Sequence, residues 1–162
     1  MLLTCLRVLA IASVALYLVP TGAHLFELPH KMALTPADYM TVQRIYQGWS
    51  LFSIVLLAAL VLNLLHAFMR RHSRGVAILS LGSFLCMAAT LVVFLVFTLP
   101  MNVASSNWTV TPVPFGPARR QWEYSHAVSA VLTFLALSAI SAAVAFDVGG
   151  RRVQPRSSEP SE

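Results

Sequence analysis

The chain has 162 residues, of which 57% are hydrophobic and only 10% are charged, and its formal net charge is +5. A soluble domain of this size with so few charged residues would lack the polar surface that keeps a protein dispersed. The positive charge is no sign of nucleic-acid binding, because the basic residues lie mostly beside long apolar runs, where lipid headgroups and the translocation machinery favour Lys and Arg. We therefore expect a lipid bilayer, and no nucleic acid, as the partner.

The first apolar run covers residues 8–19 and follows Arg7. A short run that ends in Thr21-Gly22-Ala23 is also typical of a cleavable signal peptide. Arg7 lies late for a charged leader region, however, and residues 1–6 add enough apolar length for a membrane span if the Arg side chain reaches back to the interface. We expect residues 1–23 to be retained, and cleavage stays open as the alternative.

Three longer runs follow, at residues 45–68, 76–99 and 127–146, and none contains Asp, Glu, Lys or Arg. Each can cross a hydrocarbon layer about 30 Å thick. The sequence therefore predicts an all-α, integral membrane four-helix bundle in residues 1–148, with spans at about 2–23, 45–68, 76–99 and 126–147. Residues 149–162 are Gly, Arg, Ser, Pro and Glu rich, a composition that predicts a disordered tail.

The distribution of Arg and Lys predicts the topology. Arg70, Arg71 and Arg74 crowd the short second connection, Arg7 precedes the first run, and further Arg residues follow the last run. Because cytoplasmic segments carry an excess of Lys and Arg, both termini and the tail are expected in the cytoplasm. The expected location is a multi-pass membrane protein, in the plasma membrane if the source is a bacterium. The sequence does not determine the oligomeric state.

Prolines punctuate the two outer connections. Pro29 predicts that a helix continuing from the first run bends or stops there, and Thr35-Pro36 predicts the start of a new helix capped by Thr35. The second connection, residues 100–117, contains four Pro and one Gly and predicts a loop. The last helix is expected to begin near Ala118.

The start of the last helix carries side chains that can bind ligands or transfer protons. At about 100° per residue, four polar or aromatic side chains fall within about a 100° arc of the helix. These are Arg119, Trp122, Glu123 and His126. The same face continues as Ala130, Thr133 and Leu137, whose small or moderate size suits packing inside a bundle. This face is therefore predicted to point inward.

Polar residues from two other helices fall at the same depth. His24 and Glu27 are three residues apart near the end of the first helix and so are neighbours on its surface, and Asn102 follows the third helix. We expect these residues and the four at the start of the last helix to form a polar site at the outer mouth of the bundle.

Two interpretations of this site come from the residue types alone. His24, Glu27, Glu123 and His126 have the side chains of a mononuclear zinc, iron or copper site, with Asn102 as a partner of the ligands. The alternative is a hydrogen-bonded network without metal, in which Glu123 pairs with Arg119 or Arg120 and Glu27 pairs with Lys31 at helical spacing. We expect no resident cofactor, and a mononuclear metal is the alternative.

Three short segments carry a family resemblance. They are His24-Leu25-Phe26-Glu27-Leu28-Pro29, Pro100-Met101-Asn102, and the helix start with Arg119, Trp122 and His126. Together they resemble the anthrone-oxygenase-like family of small four-span membrane proteins, and the resemblance covers nearly the whole chain except the tail. Most members of that family are known only as a domain of unknown function. A few are associated with oxidation of anthrones to anthraquinones by molecular oxygen without a recognised cofactor, and the resemblance implies that activity here.

This activity needs a general base, because an anthrone must lose a proton from carbon before its carbanion reacts with oxygen. We expect His126 or His24 to take the proton, with His126 as the first choice, and Arg119 and Asn102 to stabilise the oxyanion. Trp122, Glu123 and Glu27 are expected to contact the lipophilic substrate. The alternative function is a non-enzymatic membrane subunit, or a protein that binds a lipophile or a metal at the same site.

Overall fold

The structure, a computed structural model, describes residues 1–152 and the side chains of residues 1–149. Its α-helices are α1 (Leu2–Ala33), α2 (Pro36–Val42), α3 (Phe52–Met69), α4 (Arg74–Val93), α5 (Leu99–Ala104) and α6 (Phe115–Arg152). No strand occurs among the described residues, which confirms the all-helical prediction. The predicted disordered tail begins at residue 149, where α6 is still helical, and from residue 153 onward it lies outside the described residues.

Four helical segments are long and apolar enough to cross a membrane. They are Leu2–Ala33, Trp49–Met69, Arg74–Ala104 and Phe115–Gly149. Helix α1 packs against α3 and α6, and α4 also packs against α3 and α6, so the four long helices form a closed ring. Consecutive helices joined by short connections pack antiparallel, which gives the up-down arrangement of a four-helix bundle.

Small and hydroxyl-bearing side chains fill the interior, whereas large apolar side chains cover the outside. Ala59, Ser80 and Thr133 are fully buried, while Val61 and Phe134 are 64% and 59% exposed. Small residues let helix backbones approach closely, and several buried hydroxyls bond to carbonyls one turn back in their own helices, as Thr133 Oγ1 does to Ser129 O at 2.7 Å. Burial of Ala130 and Thr133, and partial burial of Leu137, confirm the predicted inward face of α6.

Helix α1 extends to Ala33, ten residues beyond the predicted end of the first span at residue 23. Pro20 and Pro29 both lie inside it, so, of the bend or stop expected at Pro29, the stop is wrong. Each Pro removes only one backbone hydrogen bond, and the packing of the last turns of α1 against α6 replaces that loss. Helix α2 does begin as predicted, because the Thr35 hydroxyl accepts a hydrogen bond from the Asp38 amide at 3.3 Å.

The third span also continues past its predicted end. Residues Phe94–Thr98 form one π-helical turn, in which the Leu99 amide donates to the Phe94 carbonyl, and α5, with Pro100 in its first turn, follows directly. The helix therefore reaches Ala104, and the expected loop shortens to residues 105–114. Helix α6 begins at Phe115, three residues before the predicted start at Ala118.

An ionic cluster joins three helices at one end of the bundle, where α1 begins and α6 ends. The fully buried Asp147 carboxylate accepts from Arg7 Nε at 3.0 Å and forms a second ion pair with Arg70. His66 Nε2 lies 4.0 Å from the same carboxylate, and His66 Nδ1 is 2.8 Å from the Ser80 hydroxyl. Asp147 thereby fastens the start of α1 and the α3–α4 turn to the end of α6.

We expect Asp147→Asn to destabilise the protein by about 3 kcal/mol, because it leaves two buried or half-buried guanidinium groups without their counter-charge. The free energy of unfolding in detergent measures this. Adding Arg7→Gln to the variant should recover part of the loss, and Asp38→Asn on the exposed surface of α2 should cost less than about 1 kcal/mol. Equal effects of Asp147→Asn and Asp38→Asn would contradict the prediction.

Candidate functional site

The polar site lies at the opposite end of the bundle from the ionic cluster. The last turns of α1, helix α2, the 3-10 turn Gln43–Tyr46, helix α5 and the start of α6 meet there. We name its centre the histidine cluster, which consists of His24, Lys31, Tyr46, Trp122, Glu123 and His126. The ten extra residues of α1 carry Lys31 over the mouth of the bundle.

Two histidines lie face to face at the centre of the cluster. The ring centroids of His24 and His126 are 4.2 Å apart with an interplanar angle of 32°. Trp122 contacts both rings, at 4.9 and 4.3 Å, because it precedes His126 by one helical turn. His24 is 3% exposed, whereas His126 is partly exposed. Since two stacked imidazolium rings would repel, the pair holds at most one extra proton.

A buried ion pair lies behind the histidines. Lys31 Nζ is 2.7 Å from Glu123 Oε1, and the Tyr39 hydroxyl donates to the same oxygen at 2.8 Å. The ammonium group also lies 4.6 Å from the centre of the Tyr46 ring and 4.8 Å from that of Trp122. A salt bridge with a hydrogen bond and two cation–π contacts compensates for removing Lys31 from water.

This pairing differs from the helical ion pairs that the sequence suggested. Glu123 pairs with Lys31 of α1 rather than with Arg119 or Arg120 of its own helix, and Glu27 accepts a hydrogen bond from Tyr46 rather than pairing with Lys31. The reason is burial, because Glu123 points into the bundle, where a partner across the helix interface is closer than one on the outer face.

Lys31 also sets the tautomer of His24. Its ammonium group lies 3.4 Å from His24 Nδ1, and a lysine ammonium only donates. His24 Nδ1 must therefore accept, and the neutral ring carries its proton on Nε2. Among the described residues, no side-chain hydrogen bond engages His126, so His126 is the imidazole of the pair that is free to take a proton.

Two of the predicted site residues, Asn102 and Arg119, lie beside the histidine cluster and contact neither histidine through a hydrogen bond. Asn102 Oδ1 accepts a hydrogen bond from Trp122 Nε1 at 2.7 Å and so fixes the indole that underlies both rings. Arg119 donates to the Leu34 carbonyl at 2.9 Å, and its guanidinium lies 5.6 Å from the Tyr39 ring centre. These contacts place Arg119 at the α1–α2 connection, and the cation that contacts the histidine pair is Lys31.

Tyr39 links the ion pair to the loop of residues 105–114. Its ring is 5.3 Å from Trp108 and 5.6 Å from Phe115, and it is fully buried. Burial, followed by the neighbouring Glu123 charge, raises the pKa of Tyr39 above its ordinary value. The hydroxyl therefore stays protonated and remains a hydrogen-bond donor to the carboxylate.

The predicted metal ligands have other partners in this arrangement. In residues 1–149, no three His, Cys, Asp or Glu side chains are grouped as a metal site. Glu123 Oε1 is held by Lys31 and Tyr39, and Glu27 by Tyr46. His24 and His126 remain a two-nitrogen set, and a mononuclear metal stays a prediction.

The sequence did not identify Tyr39 and Tyr46 as members of the site, and it gave Lys31 only as a partner of Glu27. Lys31 lies seven residues after His24, which places both on one face of a helix that continues through Pro29. For a helix that continues through Pro29, this spacing predicts that Lys31 lies on the same face as His24. Tyr39 and Tyr46 had no comparable signal, because the folding of the α1–α3 connection over the bundle brings them in.

No protein-family model, no curated protein and no solved structure matches this chain. The resemblance to the anthrone-oxygenase-like family therefore stays a prediction, and the function is argued from the site.

We expect removal of either charge of the buried pair to be more harmful than removal of both. Lys31→Met and Glu123→Gln should each cost about 3 kcal/mol, because each leaves one buried charged group unpaired. The double variant should lose less than the sum. Unfolding in detergent measures all three, with Arg44→Met at the exposed surface as the control. Additive losses would contradict the prediction.

Proposed function

We propose that the chain is an integral, multi-pass membrane protein with both termini in the cytoplasm and the histidine cluster at the outer mouth. The support is the apolar outer surface of four membrane-length helices around an interior of small and polar side chains. Arg70, Arg71 and Arg74 lie on the α3–α4 turn, at the same end as Arg7, which agrees with the excess of positive residues on the cytoplasmic side.

Cysteine labelling tests this topology. In a background without the native thiols (Cys5→Ser, Cys86→Ser), an impermeant maleimide should label Asn107→Cys in intact spheroplasts. His72→Cys, on the exposed α3–α4 turn, should react only after permeabilisation. The reverse pattern would invert the topology, and labelling of both positions in sealed spheroplasts would exclude a fixed membrane-spanning arrangement.

We further propose that the histidine cluster is a cofactor-independent oxygenase site for anthrone-like aromatic or other lipophilic substrates. The observation that carries this proposal is the partly exposed His126 stacked on a buried His24, whose tautomer Lys31 sets. A base of this kind needs one accessible imidazole nitrogen without a partner and a fixed ring orientation. Aromatic walls beside it suit a flat lipophilic ring.

The reaction converts a CH₂ group and O₂ into a carbonyl group and water. His126 removes a proton from the activated carbon, and the electron pair delocalises onto the substrate carbonyl oxygen. Oxygen then takes an electron from the carbanion, and the C–O bond forms between the resulting radical and superoxide to give a peroxide anion, which the imidazolium protonates to a hydroperoxide. Loss of the second C–H proton and cleavage of the O–O bond release water and leave the new carbonyl.

The surrounding residues supply orientation and charge. Trp122, fixed by Asn102, is the floor against which a flat ring packs beside His126. Lys31 places a positive charge next to the pair, which favours the enolate over the neutral ketone. Arg119 and the Asn102 amide group remain proposed donors to the substrate oxyanion, and Glu27 with Glu123 hold Tyr46, Tyr39 and Lys31 in place.

Replacement of the proposed base tests the activity. His126→Gln should lower oxygen uptake with an anthrone by at least about 100-fold, since general base catalysis contributes on that order, while the protein stays folded in detergent. The control His30→Gln changes an exposed histidine at the same end and should keep full turnover. Unchanged turnover in His126→Gln would contradict the assignment.

The alternative is a non-enzymatic membrane subunit or lipophile-binding protein, and the Lys31–Glu123–Tyr39 network favours it, because that network stabilises the mouth without any chemistry. Absence of turnover with any quinone precursor, together with stoichiometric co-purification of one partner, would support it. Elemental analysis of the wild type and of a His24→Ala, His126→Ala variant would show whether the histidines hold a metal.

A further inference from the structure

Several buried polar atoms near Tyr39 have no hydrogen-bond partner among the described residues. They are Gln43 Oε1 and Nε2, Glu123 Oε2, Trp108 Nε1 and Arg119 Nε. The side chains of Gln43, Glu123 and Trp108 are more than nine-tenths buried, with residue exposures of 4%, 0% and 6%. Buried polar groups in folded proteins almost always have partners, so a group of such atoms at one place points to a polar occupant.

These atoms belong to four side chains that all adjoin Tyr39. The Tyr39 hydroxyl bonds to Glu123 Oε1, and its ring lies 5.3 Å from Trp108 and 5.6 Å from the Arg119 guanidinium. Gln43 follows Tyr39 by four residues, one helical turn, and so is its neighbour along the same face, and its side chain is buried. These four side chains therefore lie together around Tyr39, next to the ion pair.

The donors and acceptors define the chemistry of the occupant. The protein offers three donors, on Gln43, Trp108 and Arg119, and two acceptors, on Gln43 and Glu123. An anion would meet the Glu123 carboxylate, and a cation would meet Arg119 and Lys31. An ether or ketone oxygen has no hydrogen to donate and would leave Glu123 Oε2 unpaired. A neutral hydroxyl group both donates and accepts, and so fits this set.

The walls suit an aromatic carrier of that hydroxyl group. Tyr39, Trp108 and Trp122 form one continuous set of edge-to-face rings, with Trp108 and Trp122 5.3 Å apart. Trp122 also underlies the histidine pair, so the region adjoins the proposed reaction site.

The loop of residues 105–114 covers the region. Ser106, Asn107 and Trp108 all have positive φ, between 49° and 62°, which residues with a Cβ rarely adopt. The Ser105 hydroxyl accepts from the Trp108 amide at 3.0 Å and keeps the indole inward. A ligand that enters from this side would have to displace this short cover.

We propose that Gln43, Glu123, Trp108 and Arg119 form a hydroxyl-binding subsite, which recognises a neutral aromatic lipophile by its hydroxyl group. The inference rests on the proposed function and names the substrate class of the same site. It assigns Gln43 and Trp108 as specificity residues, although neither touches the histidine pair.

Indole N–H resonances in the NMR spectrum of the protein in detergent micelles test this subsite. The three Trp residues give three such signals, and Trp108→Phe assigns the one from Trp108. Titration with 2-naphthol should shift the Trp108 signal, with an apparent Kd at least about tenfold lower than that of 2-methoxynaphthalene, which cannot donate. The Trp122 indole, already bonded to Asn102, should shift with both probes because both rings pack on it, so the difference between the probes is measured at the Trp108 signal.

Two variants separate recognition from partitioning into the micelle. Gln43→Leu should reduce the preference for the naphthol to less than about threefold. Trp108→Phe keeps a ring but removes the N–H donor and the NMR signal, so its preference for the naphthol is measured by a separate fluorescence titration and should also fall. Gln121→Leu is the matched control, because Gln121 is an exposed glutamine at the same end that bonds to the Phe97 carbonyl, and it should keep the full preference.

Equal affinities for the two probes in the wild type would overturn the subsite, as would a preference that survives Gln43→Leu. A Trp108 signal that neither probe moves would also overturn it and assign the polar atoms to bound water. The binding assay needs no turnover, so a hydroxyl preference with unchanged activity in His126→Gln would retain the subsite and reject the oxygenase mechanism. Loss of activity in His126→Gln without any preference would do the reverse.

Discussion

The buried Lys31–Glu123 ion pair is the interaction on which the mouth of the bundle depends. It joins the end of α1 to the start of α6. Its ammonium group contacts four side chains: the Glu123 carboxylate, His24 Nδ1 and the aromatic rings of Tyr46 and Trp122. A buried charge without its partner is expensive, so every element that carries a partner is held in place. The positions of the histidine rings and of Tyr39 follow from this pair.

Both ends of the bundle contain a buried ion pair, and the two pairs have different roles. Asp147, with Arg7 and Arg70, ties three helices together at one end. At the other end, the Lys31–Glu123 pair leaves one carboxylate oxygen without a partner and lies against a partly exposed histidine. The first arrangement links helices to one another. The second combines a buried ion pair with a carboxylate oxygen that can still accept a hydrogen bond, which a binding or catalytic site needs.

The apolar exterior and the aromatic cover act together at this site. Between the ends, small uncharged residues such as Ala59 and Ser80 bring the helices close together. The chemistry is instead concentrated where α2, the 3-10 turn Gln43–Tyr46 and the loop of residues 105–114 fold over the helix ends. A lipophile that approaches along the membrane surface would meet rings first and polar atoms behind them.

The sequence by itself determined the helices, their number and the inward face of α6, because long uncharged runs and a helical period of small residues leave few other ways to bury apolar surface. It also identified His24, Trp122 and His126 as neighbours, since helical spacing and equal depth are readable in one dimension. It did not determine the partner of Glu123, the continuation of α1 through Pro29, or the roles of Gln43 and Tyr39. Those features depend on which side chains meet across helices and under the folded connections. A buried charge is stable only beside its partner, and which partner lies close enough is decided by the tertiary structure.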